Sequence, residues 1–229
     1  GGTCLQAGCI PSKALLESSQ RFHEIQNGLD DHGIVTDSVR LDLAAMMQRK
    51  QRIVGTMTKG IQGLFKSSKI DYVEGTARIM SAAQVEVDTA DGLRTLQGQR
   101  LLLATGSIPV ELPDLPFDGE HILSSTEALS LQQVPERLAV IGAGAIGLEL
   151  GSVWARVGAQ VQVIEFTDHV LPGMDAEICT QVQRQLKRQG FTFDMATRAT
   201  AASIEEGFVH LTLVPRDGGD ERQVVCDRV

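Results

Sequence analysis

Apolar residues recur at helical spacing in four long stretches of the sequence, and each stretch predicts a helix. The first helix begins at Cys9, and the second runs from about residue 41 to residue 65. The third follows the glycine-rich run 142–147, and the fourth runs from Asp175, its N-cap, to Gly190, its C-cap. In the second helix, the apolar stripe that we expect to be buried consists of Leu43, Met46, Met47, Ile53, Met57, Ile61 and Leu64.

Shorter apolar runs between these helices predict strands. A hairpin turn is expected at Asp91 and Gly92. The run 100–103 predicts a buried strand, because it is apolar after Arg100 and is closed abruptly by small and polar residues. The predicted strands are 70–73, 75–79, 85–87, 100–103, 138–141, 161–164, 191–195, 199–204, 208–214 and 223–226.

The order of these elements predicts an α/β protein, and a length of 229 residues fits one or two domains. Pro109, Pro113 and Pro116 mark a connection between the domains. In the same connection, Ser124 is the expected N-cap of a short helix that reaches Leu129.

Composition and charge exclude two classes of partner. The 229 residues contain 21 Lys and Arg against 29 Asp and Glu, a net charge of −8 without a basic cluster, so we expect no nucleic-acid binding. No apolar run approaches the about 18 residues of a membrane span, and no signal peptide begins the sequence, so we expect a cytoplasmic protein. The sequence lacks an initial Met and ends within a predicted strand, and we therefore expect a fragment of a longer protein.

Two cysteines, Cys4 and Cys9, lie close together at the start of the first helix. The helix dipole favours a thiolate at Cys9, and an anionic thiol is what disulfide exchange requires. The pair is therefore consistent with a redox-active disulfide, while a structural bridge and two buried free thiols remain alternatives. Cys179 and Cys226 stand apart, which argues against a disulfide framework, and no further ligands stand at the spacing of a metal site.

Residues 142–147 form the pattern G-x-G-x-x-G between a predicted strand and a predicted helix. The next strand ends at Glu165, where a dinucleotide-binding fold places the acid that binds ribose hydroxyls. Gly142 permits the tight turn, Gly144 the approach of the pyrophosphate, and Gly147 close packing of helix on strand. A glycine-rich turn without a ligand is the alternative. The predicted dinucleotide contacts in this run are Gly142, Ala143, Gly144, Ala145, Ile146, Gly147 and Leu148, with Glu165 at the strand end.

The expected dinucleotide is NAD rather than NADP. The Glu165 carboxylate can accept both ribose hydroxyls but repels a 2′-phosphate. The residues that follow it, Phe166, Thr167 and Asp168, include no Arg that could accommodate such a phosphate.

The run Gly-Gly-Thr-Cys at residues 1–4, followed by Gly-Cys-Ile-Pro-Ser-Lys-Ala-Leu-Leu at residues 8–16, resembles the redox centre of the dihydrolipoyl dehydrogenases. These enzymes are FAD-dependent pyridine nucleotide–disulfide oxidoreductases. Further similar segments are 104–109, 124–129, 142–149 and 151–154, with Glu165. The resemblance implies an FAD/NAD(P)-binding, Rossmann-like fold with part of an FAD-binding domain at residues 1–133 and most of an NAD-binding domain at residues 134–229.

The resemblance also implies an activity and partners. Such an enzyme oxidises protein-bound dihydrolipoamide through its redox disulfide and FAD, and passes hydride to NAD. Its partners are the lipoyl domains of 2-oxoacid dehydrogenase complexes or of the glycine cleavage system, and its full-length form is a homodimer. Two family parts are expected outside this sequence: a first glycine-rich loop for FAD before Gly1, and a His–Glu acid–base pair after Val229.

Roles for individual residues follow from the same resemblance. Cys4 exchanges with the substrate dithiol, and Cys9 is the thiolate that faces the flavin. Lys13 lies beside the flavin, with Glu149 as its counter-charge near the nicotinamide. The implied FAD contacts are Gly2, Thr3, Cys4, Lys13, Gly75, Ala77, Thr105, Gly106 and Ser107, and the implied neighbour of the NAD adenine is Ala199.

Two other functions are compatible with these motifs. One is a mercuric or glutathione-type reductase of the same group, which carries electrons from NADPH towards the disulfide. The other is a non-catalytic flavoprotein that keeps the fold. Gln6 and Ala7 depart from the commonest family residues between the cysteines, but only loop geometry is required of them.

Overall fold

The computed structural model describes residues 2–229, and these form two compact units. The larger unit comprises the residues up to Val54 together with Ile108–Val229, and the smaller one comprises Gly55–Ser107. The helices are α1 (Thr3–Ala7), α2 (Cys9–Asn27), α3 (Leu43–Ser67), α4 (Ser125–Ala128), α5 (Ala145–Arg156) and α6 (Ala176–Arg188), with a 3-10 turn at Asp30–His32. The strands are β1 (Thr76–Ser81), β2 (Gln84–Thr89), β3 (Gly92–Gln97), β4 (Arg137–Ile141), β5 (Gln160–Ile164), β6 (Thr192–Asp194), β7 (Thr197–Glu205), β8 (Phe208–Pro215) and β9 (Arg222–Cys226).

A parallel sheet of β4, β5 and β6 forms the centre of the larger unit, with α5 and α6 as its crossover helices. Val140 of β4 lies opposite Val163 of β5, and Val163 is fully buried. From α5, Val153 and Trp154 are also fully buried in the core beside the sheet. The predicted strand–helix–strand–helix order is therefore confirmed. Ala139 and Ile164 of the same sheet pack in a second core with Val209 of β8.

An antiparallel sheet of β7, β8 and β9 completes the larger unit. Val209, Leu211 and Leu213 alternate along β8 and are fully buried, while the residues between them are only partly buried. This period of two is what one buried face of a sheet requires. The hairpin between β8 and β9 lies at the predicted turn of residues 215–220.

In the smaller unit, β1, β2 and β3 form an antiparallel sheet with the predicted hairpin turn at Gly92. The strand prediction at 70–73 is wrong, since those residues have no regular structure. The prediction of a buried strand at 100–103 is also wrong: this run has no regular structure, and Leu102 is 88% exposed. A strand is buried only where neighbouring strands pair with it, and within residues 2–229 none pairs with this run.

The predicted apolar stripe of α3 is buried only in its first half. Met46 is 6% exposed and packs into the main core of the larger unit. By contrast, Met57, Ile61 and Leu64 are 46%, 38% and 64% exposed, so the prediction that they are buried is wrong. Periodicity identifies the apolar face of a helix, but burial depends on what packs against that face.

Candidate active site

Cys4 and Cys9 form a disulfide with their Cα atoms 4.6 Å apart. Cys4 lies in α1 and Cys9 begins α2, so a short helix occupies part of the segment where the sequence predicted only a loop. Gly8 separates the two helices, and a Cβ there would lie 3.0 Å from the Thr3 carbonyl oxygen. A side chain at this position would therefore require the Thr3 backbone to shift. Both cysteines are exposed, which leaves the disulfide accessible to a dithiol.

The start of α2 combines a rigid anchor with unpaired backbone donors. Pro11 and Ser12 are buried, Leu15 is fully buried, and the Ser12 hydroxyl donates to the Cys9 carbonyl at 3.2 Å. The N-cap is Gly8, which has no side chain to accept from the N–H groups of the first turn. Those groups and the helix dipole favour negative charge at Cys9 once the disulfide opens.

An ion pair joins the disulfide-bearing helix to α5. The Lys13 ammonium donates to both carboxylate oxygens of Glu149, at 2.6 and 2.7 Å. Lys13 lies one turn after Cys9, and Glu149 lies in the second turn of α5. Since the two side chains are 58% and 35% exposed, the pair contributes no more than about 1 kcal/mol to stability. Its main consequence is to hold a cation and an anion at defined positions near the disulfide.

The glycine-rich loop between β4 and α5 leaves open space at an uncapped helix start. Gly142 has φ of +97°, and a Cβ on Gly147 would lie 2.5 Å from the Gly142 carbonyl oxygen, so both positions require glycine. A Cβ on Gly144 would meet no atom within 4 Å, which shows open space beside the loop. Gly144 is also the N-cap of α5, without a side-chain cap. The open space and the free N–H groups of α5 therefore fit an anion.

Glu165 follows β5 and binds the glycine-rich loop directly. Its carboxylate accepts from the Ala143 N–H at 2.7 Å through one oxygen. The other oxygen accepts from the N–H and the hydroxyl of Thr167, at 2.7 and 2.9 Å. Glu165 is only 7% exposed. A carboxylate has about four acceptor positions, so this one can still accept from ribose hydroxyls.

A cavity of about 430 Å³ lies beside Glu165. Gly142 and Ala199 line it, and Ala199 is 8% exposed in the core of the antiparallel sheet. Arg198 lines it as well, with its guanidinium 5.5 Å from the centre of the Phe166 ring. The sequence analysis missed Arg198, because only the fold brings the residue before Ala199 into the same cavity as Glu165.

A second residue missed from the sequence is Lys50, a buried lysine in α3. It is 3% exposed, and its ammonium donates to the Leu129 carbonyl at 2.5 Å and to the Ser130 hydroxyl at 3.0 Å. Burial lowers its pKa. Beside it, the Trp154 indole N–H donates to the Ala128 carbonyl at 3.1 Å. These bonds fix the segment around α4 to the core.

The FAD candidates of the smaller unit lie in two places. Gly75 precedes β1, and a Cβ there would lie 2.2 Å from the Asp88 carbonyl oxygen, so only glycine fits. Ala77 lies in β1 and pairs with Val87. Thr105, Gly106 and Ser107 lie in an exposed segment without regular structure, where Gly106 has φ of +85°. In the larger unit, Gly2 precedes α1 and Thr3 begins it.

Comparison with known proteins identifies the family. Residues 1–229 match the family described as pyridine nucleotide-disulphide oxidoreductase. The chain belongs to this family. The predicted Rossmann-like α/β fold is thereby confirmed, and the resemblance to dihydrolipoyl dehydrogenases is confirmed by individual relatives.

These relatives are similar to this member of the family over its whole length. Leghemoglobin reductase of Vigna unguiculata is 47% identical, with 100% of the chain and 44% of the relative covered. The mitochondrial dihydrolipoyl dehydrogenase of Pisum sativum is 45% identical, with 100% of the chain and 46% of the relative covered. Dihydrolipoyl dehydrogenase 3 of Pseudomonas aeruginosa is 44% identical, with 100% and 49% covered. The chain thus spans about half the length of the curated relatives that it matches.

A solved structure of a flavoprotein disulfide reductase has the same fold. It is a Cu(II) complex of a mutant of the HOCl-induced flavoprotein disulfide reductase RclA from Escherichia coli, with a TM-score of 0.79 and 25% identity. The similarity covers 100% of this chain and 47% of that one. Among the described helices of the present chain, none combines the length and apolar composition that a membrane span requires.

Proposed function

We propose that this chain is the disulfide- and NAD-binding part of a dihydrolipoyl dehydrogenase, which oxidises protein-bound dihydrolipoamide and passes its electrons through FAD to NAD. One observation carries the proposal. In the larger unit, the exposed Cys4–Cys9 disulfide and the glycine-rich loop lie on helices that the ion pair of Lys13 and Glu149 joins. The relatives named dihydrolipoyl dehydrogenase support the choice of substrate.

Thiol–disulfide exchange is the step that the chain's own residues perform. One thiolate of dihydrolipoamide attacks the Cys4 sulfur, the Cys4–Cys9 bond breaks, and Cys9 leaves as a thiolate that the start of α2 stabilises. The second substrate thiolate then attacks the substrate sulfur bound to Cys4, which releases Cys4 as a thiol or thiolate. Two electrons have moved from the dithiol, which becomes lipoamide, to the protein disulfide. The two substrate protons pass to the Cys4 thiolate and to an acid–base pair that we expect outside this chain.

For FAD, the proposed contacts are Gly2, Thr3, Cys4, Lys13, Gly75, Ala77, Thr105, Gly106 and Ser107. The glycines among them stand where the backbone allows no side chain or adopts a positive φ, which suits close approach of a ligand. When bound, FAD supplies the two-electron carrier that links the reduced cysteine pair to NAD. Lys13 provides a positive charge at this position, and Glu149 holds it there.

For NAD, the proposed contacts are the residues from Gly142 to Glu149 together with Glu165 and Ala199. The N–H groups of the first turn of α5 would bind the pyrophosphate. Glu165 would accept from the hydroxyls of the adenosine ribose, and this carboxylate favours NAD over NADP.

The domain boundary, the partners and the location are proposed from the resemblance. Residues 1–133 are assigned to the FAD-binding domain and residues 134–229 to the NAD-binding domain. The proposed partners are lipoyl domains of 2-oxoacid dehydrogenase complexes or of the glycine cleavage system, and a second copy in the full-length homodimer. The named relatives include mitochondrial and bacterial proteins, and a cytoplasmic location stays a prediction for this one.

The flavin spectrum of the full-length enzyme tests this function. Anaerobic dihydrolipoamide is expected to bleach the flavin absorbance, and NAD is expected to restore it. In Cys4→Ser, dihydrolipoamide should leave the spectrum unchanged while NADH still bleaches it. Bleaching by NADPH but not by dihydrolipoamide would instead support the mercuric or glutathione-type reductase. No response to any of these reductants would support a non-catalytic flavoprotein.

A further inference from the structure

The cavity beside Glu165 contains a cation that the linear sequence did not reveal. The expected preference for NAD rests on Glu165 and on the absence of Arg from the next three residues. In the folded chain, β7 brings Arg198 to the same cavity, where it lies with Glu165 and Phe166. A dinucleotide fold places the adenosine ribose at the acid that ends this strand. Arg198 therefore lies in the region of the ribose 2′ position.

The charge of Arg198 is available to a ligand. Its guanidinium lies 5.5 Å from the centre of the Phe166 ring, a cation–π contact that orients it without neutralising it. Within residues 2–229, Arg198 forms no ion pair with a carboxylate. Arg216, 6.0 Å from the same ring, differs because it is paired with Asp217 at 3.1 Å.

The Glu165 carboxylate would oppose an added phosphate in this cavity. It is held in place by the Ala143 and Thr167 hydrogen bonds. Asp114 also lines the cavity. A guanidinium presents a planar fork of donors that matches phosphate oxygens, so Arg198 is suited to a phosphomonoester.

We propose that Arg198 is a second determinant of nucleotide choice, which binds the 2′-phosphate of NADP(H) and is opposed by Glu165. Discrimination against NADP then depends on the Glu165 carboxylate and not on the lack of a cation. This inference rests on the proposed dinucleotide site, and it goes beyond it by assigning a residue that weakens the preference for NAD. It predicts that a single neutral substitution at Glu165 is enough to admit NADPH.

Binding titrations of the 229-residue chain with NADH and NADPH test this assignment. The readout is the ratio of the two dissociation constants, followed by calorimetry, so that no flavin or turnover is required. Arg198→Gln should weaken the binding of NADPH more than the binding of NADH. The dissociation constant of NADPH divided by that of NADH should therefore rise by about 3- to 10-fold, the effect of one exposed charge-assisted hydrogen bond. Arg198→Lys should retain part of this selectivity. Arg184→Gln, on the exposed side of α6, is the matched control and should leave the ratio unchanged.

A second pair of variants tests the opposition of the two charges. Glu165→Gln should tighten the binding of NADPH about tenfold or more, since a 2′-phosphate no longer meets a carboxylate. Glu165→Gln combined with Arg198→Gln should lose most of that gain. Because Glu165 also holds the loop at Ala143, circular dichroism and thermal unfolding report whether the variant stays folded. If Glu165→Gln does not fold, the comparison of wild type with Arg198→Gln still tests the role of Arg198.

The outcomes separate this inference from the proposed function. If the chain binds NADH but Arg198→Gln leaves the ratio of the two dissociation constants unchanged, the role of Arg198 is overturned and the NAD site is retained. A gain of NADPH binding in Glu165→Gln that persists in the double variant overturns it as well. Failure of the chain to bind either nucleotide overturns the dinucleotide site and the inference with it.

Discussion

At the scale of single residues, the side chains that we propose to carry the chemistry lie at the element ends that short local motifs predict. Cys9 begins α2, and Glu165 ends the strand after the glycine-rich loop, because helix starts and βαβ turns are set by nearby residues. Arg198 and Lys50 were not found in this way. Their positions depend on strands and helices that meet only in the folded chain, which no local pattern encodes.

The two cysteines are expected to differ in reactivity. Cys9 begins a helix of 19 residues, whereas Cys4 lies in a helix of 5 residues with a weaker dipole. The free Cys9 of Cys4→Ser should therefore react with iodoacetamide at neutral pH about two- to fivefold faster than the free Cys4 of Cys9→Ser. Mass spectrometry of timed samples measures both rates. A faster reaction at Cys4 would show that the start of α2 does not favour the anion.

Lys50 is expected to make the stability of the protein rise at alkaline pH. Burial lowers its pKa below the ordinary 10.5, so the folded state holds the proton less tightly than the unfolded state. The buried charge therefore lowers the free energy of unfolding while the ammonium is charged in both states. This loss disappears as pH rises from the lowered pKa to 10.5.

Lys50→Met isolates this effect. At neutral pH the variant should be less stable by about 1–2 kcal/mol, because the buried Leu129 carbonyl loses its donor. The difference in stability between wild type and Lys50→Met should widen towards pH 10, because only the wild type gains stability. Urea unfolding at a series of pH values measures it, with Lys59→Met, exposed on the same helix, as the control. A gap that does not change with pH would contradict the lowered pKa.

At the scale of secondary structure, elements with their own end signals were predicted closely. The N-cap Asp175 accepts from the N–H groups of Glu177 and Ile178, so α6 begins where the sequence placed it. The run 100–103 has no capping residue of this kind, and its apolar composition says only that it can be buried. Whether it becomes a strand depends on partner strands. The boundary of an element is thus local information, while the burial of an element is not.

The cap of α4 gives a prediction at this scale. The Ser124 hydroxyl accepts from the Thr126 N–H, and Glu127 accepts from the Ser124 N–H at 2.8 Å, a complete capping box. Ser124→Ala should lower the free energy of unfolding by about 1 kcal/mol. Ser125→Ala, at the next position, is the control and should have a smaller effect. Equal losses in the two variants would contradict the capping role.

The same cap should depend on pH. The hydrogen bond from Ser124 lowers the pKa of Glu127 below the ordinary 4.5. Its stabilisation is therefore fully present above pH 4.5 and is lost as pH falls through the lowered pKa. The difference in stability between wild type and Ser124→Ala should therefore shrink as pH falls, while the part due to the Thr126 N–H bond remains. A difference that does not change with pH in acid titrations would contradict this linkage.

At the scale of the whole molecule, residues 98–111 are the most accessible continuous segment without regular structure. Every residue in this segment is exposed, whereas Arg156 lies in α5 and is partly buried. Trypsin should therefore cut the native chain after Arg100 well before it cuts after Arg156, since cleavage requires extended and unpaired backbone. Mass analysis of timed digests gives the order. Earlier cleavage at Arg156 would show that α5 opens more readily than the parallel-sheet core implies.

The whole proposal depends on the Cys4–Cys9 disulfide being redox-active rather than structural. The most direct test mixes the folded chain with one equivalent of dihydrolipoamide, traps free thiols with iodoacetamide and maps them by peptide mass spectrometry. Cys179 and Cys226 are the internal controls, because they are 3% and 2% exposed and burial raises the pKa of Cys226 to about 11. We predict labelling of both Cys4 and Cys9 with neither control labelled. A Cys4–Cys9 bond that stays intact under these conditions would contradict the central claim.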